Sequence, residues 1–151
     1  ARNDEYIEAM RALWAGPHAE FRGDFVDFAP VTCSPRPIQE RIPVLVGGDS
    51  EAAISRAVRL ADGYFPGEGD AERLGGLVAR VRHGADAAGR DPNSIGINAM
   101  FGAHMRNPQA GVEQLRQIGV DRIMVPAFAF AGSGGLDRLS EFGEQVIQQV
   151  G

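Results

Sequence analysis

A parallel α/β fold is expected for this chain of 151 residues. Short runs such as Ile42-Pro43-Val44-Leu45-Val46 are apolar throughout, as in strands buried on both faces, and do not alternate apolar with polar. Each run is followed by a longer stretch whose apolar residues recur every three or four positions, the period of a helix that buries one face. The resulting order, α-βα-βα-βα-βα, calls for a parallel sheet covered by helices. Four such units make either a small open sheet or half of a (β/α)₈ barrel, and periodicity alone does not choose.

The first helix is expected over Asp4 to Ala15, with Tyr6, Ala9, Met10, Leu13 and Trp14 on one face and Gly16-Pro17 as its stop. Phe21 to Phe28 alternates loosely, as a short strand or hairpin does, and a Pro-rich connector runs from Pro30 to Pro37. Ile42 to Val46 is the first parallel strand, closed by Gly47-Gly48. A helix from Ser50 to Leu60 follows, with Ala53, Ile54, Ala57, Val58 and Ala61 inward and Asp49 or Ser50 as N-cap. Gly63 to Pro66 is the second strand. The next helix, Asp70 to Ala88, carries Leu74, Leu77, Val78, Val81, Ala85 and Ala88 on one side, and Gly89 suits its C-terminus. Ile95 to Phe101 is the third strand, Gln109 to Ile118 a helix with Val112, Leu115 and Ile118 inward, and Val120 to Val125 the fourth strand. A last helix, Leu136 to Val150, carries Leu139, Phe142, Val146 and Ile147.

Composition narrows the function classes. A formal net charge of −5 gives no general attraction to phosphate backbones or anionic lipid, so neither nucleic acid nor a membrane surface is an expected partner. The longest apolar stretch, Ile123 to Gly132, is about half what a spanning helix needs and Pro126 interrupts it. Lone Cys33 forms no internal disulfide, which fits a reducing cytoplasm. All 15 basic residues are Arg, a bias that speaks of source and not of mechanism. Zinc-ligand spacing, Ser-His-Asp ordering and a nucleophile elbow are all missing, so no metal site and no catalytic nucleophile can be named.

Several segments in order resemble the bacterial-luciferase-like monooxygenases and F420-dependent oxidoreductases. They are Arg2 to Trp14, Phe21-Arg22-Gly23, Pro35-Arg36-Pro37, Ile42 to Gly48, Arg56 to Tyr64, Ala88 to Pro92 and Gly119 to Ile123. The resemblance implies one partial domain over residues 1–151, the C-terminal half of a (β/α)₈ TIM barrel. The first helix would be the barrel's fourth, and the four strands its fifth to eighth. A family member carries four more strands upstream, with much of the wall around the flavin or deazaflavin ring. Three expectations follow: the other half is missing from this sequence, two copies associate as a homodimer, or the chain is a degenerate paralogue. A half barrel leaves two sheet edges, which invite pairing.

In such barrels the working residues lie in the loops after the strands. Gly47, Gly48, Asp49 and Ser50 are the candidate cofactor-binding residues: two glycines let backbone N–H groups approach a phosphate, and the following helix aims its positive end at the same place. The resemblance supports Gly47 and Gly48, whereas the charge of Asp49 repels phosphate unless it turns away. The plain alternative is a glycine turn with a helix cap. His104 and Arg106 after the third strand, and Phe128 and Phe130 after the fourth, are candidate substrate residues. Glu68 and Asp70 read as solubilising acids, Trp14 as core, and Asp62 as a structural partner of Arg56 or Arg59.

The function implied is hydride transfer to or from a small organic substrate with F420 as the favoured cofactor, or oxygenation with FMN and O₂. A non-catalytic half-barrel paralogue and a phosphate-binding domain are the alternatives.

Overall fold

The computed structural model describes residues 1–148. Helix α1 (Arg2–Ala15) leads into an antiparallel hairpin of β1 (Ala19–Arg22) and β2 (Asp27–Val31). The parallel part follows as β3 (Leu45–Gly47), α2 (Glu51–Leu60), β4 (Gly63–Phe65), α3 (Ala71–Ala87), β5 (Gly96–Met100), α4 (Pro108–Ile118), β6 (Arg122–Met124) and α5 (Gly135–Phe142). A π-helical turn, Gly143–Ile147, continues α5. Of the expected last helix, Gln149 and Val150 lie outside the described residues.

The four parallel strands are ordered β3-β4-β5-β6, the order of the chain. Register puts Val46 beside Tyr64 and Tyr64 beside Ile97, and Ala99 beside Ile123. Side chains paired in this way share a face, and this one packs on the helices: Val46, Tyr64, Ile97 and Ala99 join Ile54, Ala57, Leu74, Val81 and Leu115 in one buried cluster. The other face carries Leu45, Phe65, Asn98, Met100, Arg122 and Met124, and there Leu45 and Met124 are 43% and 46% exposed. A doubly wound sheet reverses its strand order and is covered on both faces. Sequential order with helices on one face is the arrangement of a barrel wall, so the choice left open by periodicity falls to the half barrel.

Local chemistry explains the element ends. Ser50 and Asp70 cap α2 and α3 by accepting from the N–H groups of Ala53 and Arg73. Asn107 does the same for Ala110 ahead of Pro108. Helix α3 closes with Gly89 at φ +71°, where the N–H groups of Gly89 and Arg90 turn back to the carbonyls of Asp86 and Ala85. No helix among the described residues is long and apolar enough to cross a membrane.

Several expectations need correction. The expected stripe of α1 is its buried face only in part: Ala9 is buried, joined by Ile7, and Leu13 and Trp14 are half-buried, whereas Tyr6 and Met10 are 44% and 36% exposed. On the last helix Phe142 and Val146 are buried, whereas Leu139 and Ile147 stand open. Helix α1 packs against α2 and the β1–β2 hairpin, and the last helix against α4. Asp62 does not pair with Arg56 or Arg59. Its carboxylate accepts from the backbone N–H of Val44 (2.9 Å) and pairs with Arg11 (3.0 Å) and Arg41 (2.6 Å), while Arg56 and Arg59 both bind Asp4 at the start of α1. Strands β3 and β6 are also shorter than expected, three residues each.

Candidate functional site

The loops after β3, β4, β5 and β6 gather at the C-terminal ends of the parallel strands. The first begins at Gly48, whose φ of +104° lies in the left-handed region that L side chains rarely adopt. A glycine here is a backbone requirement. The Gly48 N–H donates to the Phe65 carbonyl (3.3 Å), extending the ladder beyond β3 by one bond. The Gly48 carbonyl accepts from the Tyr64 hydroxyl (2.9 Å). Burial pushes the Tyr64 phenol up to about 12, with the negative charge of Asp49 adding to the rise, so the hydroxyl keeps its proton at neutral pH.

Asp49 turns toward the neighbouring loop, where its Oδ1 accepts from the Gly67 N–H (2.8 Å). Its charge is thereby engaged by a backbone donor and tied to the β4–α3 connection. Ser50 spends its hydroxyl on the cap of α2. The backbone N–H groups of Asp49 and Ser50 meet no acceptor among the described residues, and the first N–H groups of α2, from Glu51 onward, have no partner within the helix. These donors, beside two glycines and at the positive end of a ten-residue helix, suit the oxygens of a phosphate.

The second loop is folded on itself. Glu68 accepts from the N–H groups of Asp70 and Gly69 and pairs with Arg73; the backbone bonds, that of Asp70 first, hold its carboxyl below the usual range. After β5, His104 ends a 3-10 turn, with its ring 5.6 Å from that of Phe101 and against Gly111 of α4, where any side chain would run into it. Arg106 is exposed. After β6, Phe130 meets Phe142 edge-on at 5.7 Å, and Phe128 is 80% exposed. Strands β3 and β6 are the opposite edges of the sheet, about 14 Å apart at ordinary strand spacing. The phenylalanines are therefore not brought to the Gly48 loop. An apolar groove of about 620 Å³ between α4, β6 and the last helix lies on the helix side, away from these loops.

Two participants escape a reading of the sequence alone. Tyr64 is one residue of a short apolar strand, and only its register with Val46 places its hydroxyl at Gly48. Asn98 lies on the open face of the sheet, with its amide nitrogen toward the carbonyls of Tyr64 and Gly96. No motif marks it.

Comparison with known proteins places this geometry. The family described as luciferase-like monooxygenase matches residues 1–142. An uncharacterised protein of Mycobacterium tuberculosis (strain ATCC 25618 / H37Rv) is 39% identical over 99% of this chain and 53% of its own length. An FMNH(2)-dependent dimethylsulfone monooxygenase of Pseudomonas putida is 35% identical over 65% of this chain and 27% of its own length. Among solved structures, the monooxygenase RslO1 from Streptomyces bottropensis superposes with a TM-score of 0.76 at 21% identity, covering 99% of this chain and 61% of that one. The coenzyme F420-dependent tetrahydromethanopterin reductase from Methanopyrus kandleri gives 0.73 at 14% identity, covering 94% and 61%. At such identities the structural likeness shows the fold. The chain spans about half the length of the mycobacterial relative. With the family profile matched over nearly the whole chain, it belongs to the luciferase-like monooxygenase family, of which it carries part of the barrel.

Proposed function

We propose that this chain supplies the phosphate-holding side of an F420- or FMN-dependent oxidoreductase acting on a small organic substrate, with F420 the favoured cofactor. The Gly48 loop carries the reading. Its backbone donors meet no protein acceptor among the described residues, the carboxylate of Asp49 is drawn to Gly67 and that of Glu51 pairs with Arg80, and Gly48 adopts a conformation that L side chains rarely take. Such a cofactor supplies hydride transfer, or oxygenation when reduced flavin meets O₂. The protein's part is placement: the N–H groups of Asp49 and Ser50 with the end of α2 hold the phosphate, and Phe65 and Met100 offer apolar surface at the strand ends. His104, Arg106, Phe128 and Phe130, in the loops after β5 and β6, stand on the substrate side of the proposal.

The open face of the sheet belongs to the same reading, for which we propose another half barrel as cover. Helix α1 already stands beyond β3 and α5 beyond β6. A second copy would bring two helices to each seam, whereas a unit of four strands and three helices brings one. FMN oxygenation is the second reading, favoured by the relative from Pseudomonas putida.

Titration with F420 and, in parallel, FMN, followed by quenching of cofactor fluorescence, tests the proposal. Saturable binding of F420 in preference to FMN is expected. Preference for FMN would move the activity to the oxygenating branch, and binding of neither would remove the cofactor role of the Gly48 loop in this chain.

A further inference from the structure

We infer that Tyr64 is a positioning residue: its hydroxyl pins the Gly48 carbonyl and thereby aims the Asp49 N–H at the bound phosphate. The inference rests on the cofactor reading of the Gly48 loop and adds to it the device that sets the loop's orientation.

The argument begins with the peptide plane. In a trans peptide the carbonyl of one residue and the N–H of the next point in opposite directions. The Gly48 carbonyl is directed at the Tyr64 hydroxyl on the helix side of the sheet, 2.9 Å away. The Asp49 N–H therefore points away from that ring, and it meets no acceptor among the described residues. Rotation of this one peptide would exchange the two, presenting a carbonyl oxygen where an anion is to bind.

Such a rotation needs restraint because glycine lacks the Cβ that limits backbone torsions elsewhere. The β3–β4 ladder ends with the Gly48 N–H, and the helical pattern starts at Ser50, whose carbonyl accepts from Ala53 and Ile54. The peptide between them belongs to neither. Two side-chain contacts restrain it: the Tyr64 hydroxyl on its carbonyl and, one residue on, the Asp49 carboxylate on Gly67. Tyr64 is itself fully buried, with its ring packed in the core cluster, so its hydroxyl is a fixed donor. Because burial raises its pKa to about 12, the donor persists through any physiological pH.

The test compares Tyr64→Phe with the unaltered chain, using inorganic phosphate and FMN as probes and the backbone amide resonance of Asp49 as readout. Phosphate is expected to move the Asp49 amide proton saturably in the unaltered chain. In Tyr64→Phe the same response should weaken about tenfold in affinity, the scale of one lost hydrogen bond. Ile97→Val, a buried change on the same face of the sheet, controls for lost stability and should bind as the unaltered chain does. If Tyr64→Phe fails to fold, 3,5-difluorotyrosine at position 64 keeps the ring and makes the hydroxyl more acidic. Phosphate affinity should then fall through the pH at which that hydroxyl ionises, a step the unaltered chain lacks. Equal binding by Tyr64→Phe, or no such step, overturns the role of Tyr64 and leaves the site standing. No response of the Asp49 amide in the unaltered chain overturns the phosphate reading of the loop and the inference with it.

Discussion

Asp4 shows how one side chain can fix the angle of a helix. It accepts from Arg56 at 2.7 Å and from Arg59 at 2.6 Å, so one carboxylate moors the start of α1 to α2, and further along α1 Arg11 donates to the Leu60 carbonyl at the end of α2 (2.6 Å). Hydrogen bonds from Arg59 and then Arg56 lower its pKa from 3.8 to about 2. A depressed carboxylate stabilises the folded state above its unfolded pKa, and that contribution is lost as pH falls through the folded one. The stability advantage of the unaltered chain over Asp4→Asn should therefore be full at neutral pH and vanish between 3.8 and about 2, as read by denaturant titration across that range. An advantage that persists below pH 2 would rule out the pairing. In the sequence nothing marks Asp4, and Arg56 or Arg59 reads as a partner of Asp62, since nothing in their spacing reveals that α1 and α2 meet there.

Among the elements, one device recurs. The carboxylate of Asp62, just ahead of β4, accepts from the N–H of Val44, and the N–H of Asp62 returns a bond to the Val44 carbonyl. Asp121, just ahead of β6, does the same with Ile97. Each clasp holds the base of two adjacent strands, and each has an arginine at hand: Arg11 and Arg41 for Asp62, Arg82 for Asp121. Strands of three residues have few ladder bonds, so such clasps matter. Asp62→Ala should lower stability by about 2 kcal/mol, the cost of losing hydrogen bonds to a half-buried charge. Asp121→Ala should cost roughly half as much, because Asp121 is 60% exposed and water replaces part of what is lost. Equal costs in thermal denaturation would refute the distinction. Element type and order were legible from apolar spacing, most securely for α2, whose expected stripe is its buried face, and for α3, whose stripe is buried from Leu74 to Ala85 but not at Ala88, which is exposed at the helix end. Spacing misled at α1 and at the last helix, because a stripe records which residues are apolar and not whether a neighbour is there to cover them. The Gly48 turn was legible as a glycine pair before a helix, whereas the contacts of Tyr64 and Asp49 depend on the register of β3 with β4 and on the crossing of two loops.

At the scale of the whole molecule, the sheet has a covered face and an open one. Leu45, Met124, Tyr6, Met10, Leu139 and Ile147 are exposed on the open face or beside the edge strands. In the proposed barrel, with a helix beyond each edge strand, a second copy as cover would crowd both seams. Sedimentation should accordingly show no discrete dimer that binds cofactor, and such a dimer would refute the helix-count argument. The paired clasps carry one more consequence. Each strand pair holds its own fastening, Asp62 within β3 and β4 and Asp121 within β5 and β6, and between β4 and β5 the corresponding bond is backbone to backbone, Gly96 to Asp62. The chain is thus built of two self-fastened modules, and the natural joint for recombining barrel pieces falls between Gly67 and Arg82, where a crossover leaves both clasps whole.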